Sequence, residues 1–282
     1  MERKQTENRL TGRIKVAPIY LVIIVVVVLW LSPYAWMVLI SLRPPSQPFS
    51  TGIIPERITL TNLINLMTTT NAWKFLANSA LMAFLAAFLS ITLGSLAAYG
   101  FTRFRFRGRG QMMGSLLILR SLPPIVLSIA IFTMITGTPL MDTIWALVLV
   151  NAAINLPFCI WNLRAAFESI NPELDDASLI DGCSRVGALF RIVLPLTAPG
   201  VVATAIFAFM LSWNEFLIAT VLIQSGGKRM ITTFMANNIG QFSINYIALI
   251  TTAVVATLPL VILFLFVQRY LVAGLAMGGM KG

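Results

Sequence analysis

Long apolar runs alternate with short polar segments along nearly the whole chain. A helix needs roughly 20 predominantly apolar residues to cross a bilayer. Six stretches meet that length, at about 17–42, 75–101, 112–136, 143–163, 196–223 and 246–267. The pattern predicts an all-α membrane protein with six transmembrane helices. It also divides the chain into a tail at 1–16, a first helix and loop at 17–71, a five-helix core at 72–268 and a second tail at 269–282.

The polar interruption between the fourth and fifth stretches has a pattern of its own, ELDDASLIDGCSRVGALFRIVLPL at 173–196. Asn171 followed by Pro172 reads as an N-cap with proline at the first helical position. Glu173, Asp175 and Asp176 then fall in the first turns, where the helix dipole favours negative charge. Gly182 ends this helix, and Ser184 is placed to cap a second one. In the second, Val186, Leu189, Phe190 and Val193 recur at i, i+3, i+4 and i+7, an amphipathic spacing. Arg185 and Arg191 lie off that face. Pro195 leads into the fifth stretch. The prediction is a helix–turn–helix hairpin within loop 165–195, lying at the membrane surface or against a partner.

The second stretch carries small residues in steps of three and four, at Ala80, Ala83, Ala87, Ser90, Gly94 and Ala97. Such a stripe lets helix backbones approach closely in lipid. The loop after the first stretch holds Pro44, Pro45, Pro48 and Pro55 and is too short for a domain of its own.

Composition agrees with a bilayer setting. The chain of 282 residues is 58% hydrophobic and 11% charged, against about a quarter charged in globular proteins. With the N-terminus inside, inner segments hold fourteen of the Lys and Arg residues and outer segments five, with Arg120 inside the third stretch. That bias puts both termini on the cytoplasmic side. It also accounts for most of the net charge of +10 without nucleic acid. The basic run RFRFRGRG at 103–110 is then a short inner loop anchored by arginine and interfacial phenylalanine. No cleavable signal is expected, because the first stretch is long and no small-residue cleavage site follows it. Histidine is absent, which removes His-dependent catalysis and metal binding. Cys159 and Cys183 make no zinc site and read as packing residues.

Polar groups within apolar stretches are functional candidates, since burying them in lipid is costly. Arg120 precedes Pro123 and Pro124, which should open or kink the third helix. Trp213, Asn214 and Glu215 interrupt the fifth. Trp145, Trp161, Asn151 and Asn155 add aromatic and amide groups of the kind sugar sites use. For Arg120 and Glu215 a structural role, including pairing with each other, stands beside a role in a solute pathway. No G-x-x-x-x-G-K-[ST] occurs; the nearest fragment, Gly226-Gly227-Lys228, lacks the upstream glycine. ATP hydrolysis by this chain is therefore not expected.

The hairpin resembles the signature loop of permease subunits of binding-protein-dependent ABC importers, E-A-A-x3-G-x9-I-x-L-P. Here Asp176-Ala177-Ser178 is followed after three residues by Gly182, and after nine more by Ile192, Leu194 and Pro195. Asp replaces the family Glu, and Ser the second Ala. The segments LANSALMAF, LAAYGFTRFRFRGRG, RSLPPIVL, LSWNEFLIA and QRYLVAGLAMGGMKG are similar to the carbohydrate subgroup, of maltose, trehalose and glycerol-phosphate type. The resemblance implies the type I importer permease fold. It implies ATPase coupling through Asp175, Asp176, Ala177, Ser178, Asp181, Gly182, Arg185, Leu189, Phe190, Ile192, Leu194 and Pro195. It implies as partners a second, different six-span permease, two copies of a cytoplasmic ATPase that holds ATP and Mg2+, an extracytoplasmic solute-binding protein and a sugar substrate, in a bacterial or archaeal cytoplasmic membrane. This chain itself would bind no cofactor. An ion-coupled secondary transporter is the alternative; it would not need the spaced loop.

Overall fold

The computed structural model describes residues 2–46, 52, 55–240 and 245–279, with side chains described for 18–46, 52, 55–240 and 245–268. Pro48 and Lys281 lie outside the described residues. So do the side chains of the basic N-terminal segment and those of the motif after Gln268.

The elements in chain order are α1 (Glu2–Ser41), α2 (Thr61–Thr68), α3 (Ala72–Arg103), α4 (Arg109–Arg120), α5 (Pro124–Ile135) and α6 (Ile144–Glu168). Then come α7 (Glu173–Ile180), α8 (Arg185–Ala188), a π-helical turn (Leu189–Val193), α9 (Leu194–Leu196), α10 (Ala198–Trp213), α11 (Leu217–Leu222), α12 (Ile231–Ala236) and α13 (Tyr246–Gly279). Among the described residues, four helices are long and apolar enough to cross a bilayer unbroken, at Pro18–Ser41, Ala72–Arg103, Ile144–Glu168 and Tyr246–Gln268. Six spans result when each bent pair counts as one, α4 with α5 at 97° and the Arg185–Leu196 segment with α10 at 89°.

The 97° bend has a local cause. Pro123 and Pro124 supply no N–H, so the helical ladder stops at Arg120 and restarts with Pro124 at the first position of α5. The fifth span differs from the continuous helix expected. It breaks between Trp213 and Leu217, and the Glu215 carboxylate takes up the freed amides. Its two oxygens accept from the N–H groups of Ile218 at 2.7 Å and Ala219 at 2.8 Å. The Thr232 hydroxyl donates to the Glu215 carbonyl at 2.7 Å. Irregular backbone at membrane depth persists only where such partners exist.

The chain divides into two units, residues 1–70 with 238–255, and residues 71–237 with 256–282. In the first, the Asn62 amide closes the end of α1, donating to the carbonyls of Ser41 at 3.0 Å and Arg43 at 2.8 Å. Last-turn carbonyls lack intrahelical partners, so this is a C-terminal cap made by a distant side chain. Arg43 is buried, donates to the Gly52 carbonyl and lies 5.4 Å from the Trp36 ring centroid. From Ile19 to Leu31 the helix presents exposed aliphatic side chains, a surface suited to lipid or a neighbouring helix.

The second unit is built on α3 against α6, with α10 packed on both. The small residues of α3 form this seam: Ala83, Ala87, Ser90 and Gly94 are buried, whereas Ala80 and Ala97 are half-buried at its edges. Ser90 donates to the carbonyl of Ala152 on α6 at 3.2 Å. A Cβ on Gly94 would lie 2.9 Å from the Cβ of Cys159, so the thiol carbon already occupies the space a side chain would need. At the loop end, Asp142 joins the turn before α6 to the one after α11. Its carboxylate accepts from Ser225 through both hydroxyl and N–H, from Gln224 N–H at 2.9 Å and from Lys228 at 3.0 Å. The hydrogen bonds from Ser225, then Lys228, hold this carboxyl below the ordinary carboxylate range. A lowered folded-state pKa means that the tether is complete above that range and is lost only as the pH falls beneath it.

The seam makes a direct prediction. Gly94→Ala should destabilise the protein by about 1–3 kcal/mol, the usual cost of overpacking. Gly100→Ala on the same helix meets nothing within 4 Å and should be neutral or mildly stabilising. Thermal unfolding in detergent measures both; equal effects would contradict the seam.

Candidate functional site

The hairpin between α6 and α10 collects most of the chain's unexplained polar chemistry. Asn171 opens it, its side-chain oxygen accepting from the N–H of Glu173 at 3.1 Å; α7 starts at Glu173, so Pro172 takes the cap position one residue later than the sequence predicts. Three acids follow in the first turn of α7. Gly182 turns the chain with φ +85°, a left-handed conformation that costs other residues roughly 1–2 kcal/mol. Nothing lies within 4 Å of a Cβ built there, so the glycine is required by backbone geometry rather than by crowding. Ser184 caps α8, accepting from the N–H of Gly187 at 3.1 Å.

The two helices have distinct inner and outer faces. On α7, Asp175 and Ser178 are buried, whereas Asp176 and Ala177 are exposed and Ile180 is 87% exposed. On the second limb Ala188, Leu189 and Val193 are buried. Leu189 and Val193 join a core cluster with Tyr99 of α3 and Leu163 and Phe167 of α6. Val186 and Phe190 are exposed, which differs from the single apolar face that the spacing predicts. The buried arc is rotated toward Ala188, where the helix opens into the π turn at Leu189–Val193. Ile192 and Leu194 are half-buried; Asp181, Gly182, Arg185 and Pro195 are exposed.

A buried ion pair fixes the inner face. Arg103, in the last turn of α3, donates to the Asp175 carboxylate, and the two side chains are only 7% and 3% exposed. The same guanidinium donates to the Ile170 carbonyl at 3.2 Å. Next to it, Arg185 lies 5.1 Å from the Phe104 ring centroid, a cation–π contact from α8 to the end of α3. Glu168 pairs with Arg164 at 2.7 Å and with Arg109 at 3.8 Å. Thus α3 and the loop after it hold the start, middle and second limb of the hairpin. Asp175 is committed inward, whereas Glu173, Asp176 and Asp181 are exposed, Glu173 accepting from the Asn171 amide at 3.1 Å. Arg103 and Phe104 are the residues that sequence reading missed. Their signal was present, a lone arginine in the final turn of a span, but it was absorbed by the topology count.

The candidates within the spans are dispersed. Arg120 is exposed and lies 4.9 Å from the Phe158 ring centroid; it does not pair with Glu215, whose carboxylate caps α11. Trp145 is 60% exposed. Asn151 is buried and donates to Leu147 of its own helix at 3.0 Å. Asn155 is buried and joins α6 to α10, donating to the Ser212 hydroxyl at 2.8 Å. Trp213 is buried and stacks on Phe209, with ring centroids 5.8 Å apart. Asn214 is exposed and donates to Met210 at 2.8 Å. Among the described residues no group of three or more Cys, Asp or Glu side chains is arranged to hold a metal ion.

The chain is 32% identical over 254 residues to the sulfoquinovosyl glycerol transport system permease protein of Agrobacterium fabrum, covering 89% of each. It is 31% identical over 262 residues to the trehalose/maltose transport system permease protein of Thermococcus litoralis, covering 92% of this chain and 94% of that one. In fold it matches a bacterial ABC transporter involved in the import of the acidic polysaccharide alginate, with a TM-score of 0.78 over 92% of this chain and 97% of the other, at 18% identity. The model of the family described as binding-protein-dependent transport system inner membrane component matches residues 90–277. With the hairpin inside that range, the chain belongs to this family of ABC importer permeases.

Proposed function

We propose that the chain forms half of the pathway by which a sugar or sugar-like solute enters a bacterial or archaeal cell. The 173–195 hairpin is its contact with a separate cytoplasmic ATPase. The observation that carries this reading is the two-sided hairpin. Its inner face is pinned to α3 by Arg103 and Asp175 and sealed by Leu189 and Val193. Its outer face offers Leu174, Ile180, Val186 and Phe190 among Asp176, Asp181, Arg185 and Arg191. An exposed apolar set rimmed by charge is the composition of a docking surface.

A hairpin fixed in this way moves with α3 as one body. Displacement of the docked ATPase on nucleotide binding is then passed to the helical seam instead of being absorbed in a flexible loop. ATP acts by favouring one of two packings of the permease, and the solute has access from one side in each. The phosphate and Mg2+ chemistry belongs to the partner.

The charge bias supports a cytoplasmic hairpin and cytoplasmic termini. A single hairpin per chain calls for a second six-span permease, a different chain, and two ATPase copies. An external binding protein would deliver the solute. The carbohydrate assignment rests on the subgroup motifs and on the printed substrates of the two relatives. Within the spans, the exposed Arg120, Trp145 and Asn214 are available to a pathway or to the partner permease. Asn151, Asn155 and Trp213 would act on it through packing, and Glu215 by holding the break in the fifth span.

Two experiments separate docking from latching. Ile180 is so exposed that Ile180→Glu should leave the unfolding temperature unchanged while sharply reducing the ATPase recovered with the tagged permease; undiminished recovery would contradict the docking face. Arg103→Ala should cost about 3–5 kcal/mol, because it strands a buried carboxylate. Combined with Asp175→Ala the loss should fall short of additive by about 0.5–3 kcal/mol. Strictly additive unfolding shifts would remove the latch.

A further inference from the structure

The unit formed by residues 1–70 and 238–255 contains a cavity of about 480 Å3 between α2 and the start of α13. That size is in the range of small-molecule sites. The described residues lining it include no charged side chain; amides, hydroxyls and aliphatic groups make its wall.

The hydrogen-bonding capacity left over in the wall is specific. Asn62 spends its NH2 group on the carbonyls of Ser41 and Arg43, which leaves its side-chain oxygen as an acceptor. Asn245 does the reverse. Its oxygen accepts from the N–H of Ala248 at 3.1 Å, so its NH2 group remains a donor. Asn65 and Thr69 are exposed on the same side of α2 and can do both.

Thr251 is the observation that points to a ligand. It is 1% exposed, and its hydroxyl has no hydrogen-bond partner. The next residue, Thr252, makes the ordinary choice and donates back to the Ala248 carbonyl at 2.6 Å. A buried hydroxyl left unpaired costs free energy, and here it lines a cavity whose other polar groups are also open.

We infer that this cavity is a binding site for a neutral polyhydroxylated solute, a sugar or polyol. Each hydroxyl of such a solute both donates and accepts, matching a wall that alternates the two. An anion or cation would find no countercharge. No aromatic ring is among the described lining residues, so stacking is missing and binding is weak and quickly reversed. On the orientation and solute class given under Proposed function, on which this inference rests, the cavity lies at the outer ends of the first and last spans. A solute would be held there before entering the pathway.

The test uses the transporter purified with its subunits in lipid nanodiscs, without the external binding protein. Asn65→Cys is modified with a maleimide, and the rate at that position is read by peptide mass spectrometry. Maltose or trehalose should slow the modification several-fold relative to choline chloride. Thr251→Val should abolish the protection without shifting the unfolding temperature. Equal rates in sugar and salt, or protection that survives Thr251→Val, would overturn the site. So would protection that appears only with the external binding protein present, which would assign the cavity to that protein. Sugar uptake by the unmodified system is measured in parallel. Intact uptake without protection removes only this site, whereas absent uptake would count against the proposed function itself.

Discussion

A buried arginine and a buried aspartate, one at the end of α3 and one on α7, hold the hairpin to the helical seam. Neither Arg103 nor Asp175 tolerates burial alone, since the desolvation of an unpaired charge exceeds what local packing returns. Paired, and with the guanidinium also bound to the Ile170 carbonyl, they tie the hairpin to the longest helix of the second unit. The apolar insertion of Leu189 and Val193 adds a second attachment on the other limb. Two attachments on different helices suppress rocking of the hairpin. The proposed coupling to an ATPase would need this property, and a solvated loop does not have it.

Above that joint, lipid imposes its own accounting of backbone hydrogen bonds. At two of its departures from continuous helix the chain leaves no amide of the break stranded. At the tandem proline there is no N–H to satisfy. At the break in the fifth span Glu215 turns both carboxylate oxygens onto the amides of α11. The same rule explains the small-residue stripe. Without a hydrophobic drive between helices, close backbone approach is a main source of helix attraction in lipid, and at Gly94 the Cβ of Cys159 fills the space a side chain would take.

Much of this was legible in the residues. Span positions follow from hydropathy, because the bilayer sets one length for all of them. The hairpin's caps and turn are local: Asn171, Gly182 and Ser184 act within a few residues of themselves, so their roles can be read without a fold. What escaped is non-local. The partner of Asp175 sits 72 positions away, and no spacing rule reaches that far. The identity of the buried arc on the second limb also escaped, because periodicity locates an apolar sector but not the neighbour that covers it. The contacts of Glu215 are local, with amides three and four residues ahead of it, but they form at a helix start that hydropathy does not mark.

The most direct measurement of the central claim uses Cys183, which follows the hairpin's glycine turn and is a free thiol of intermediate exposure. A short bifunctional maleimide applied to inside-out membrane vesicles should join Cys183 to the ATPase subunit, and nucleotide should alter the yield. A membrane-impermeant maleimide added to intact cells should leave Cys183 unmodified. Modification from the outside of intact cells would place the hairpin on the wrong face of the membrane and contradict the account.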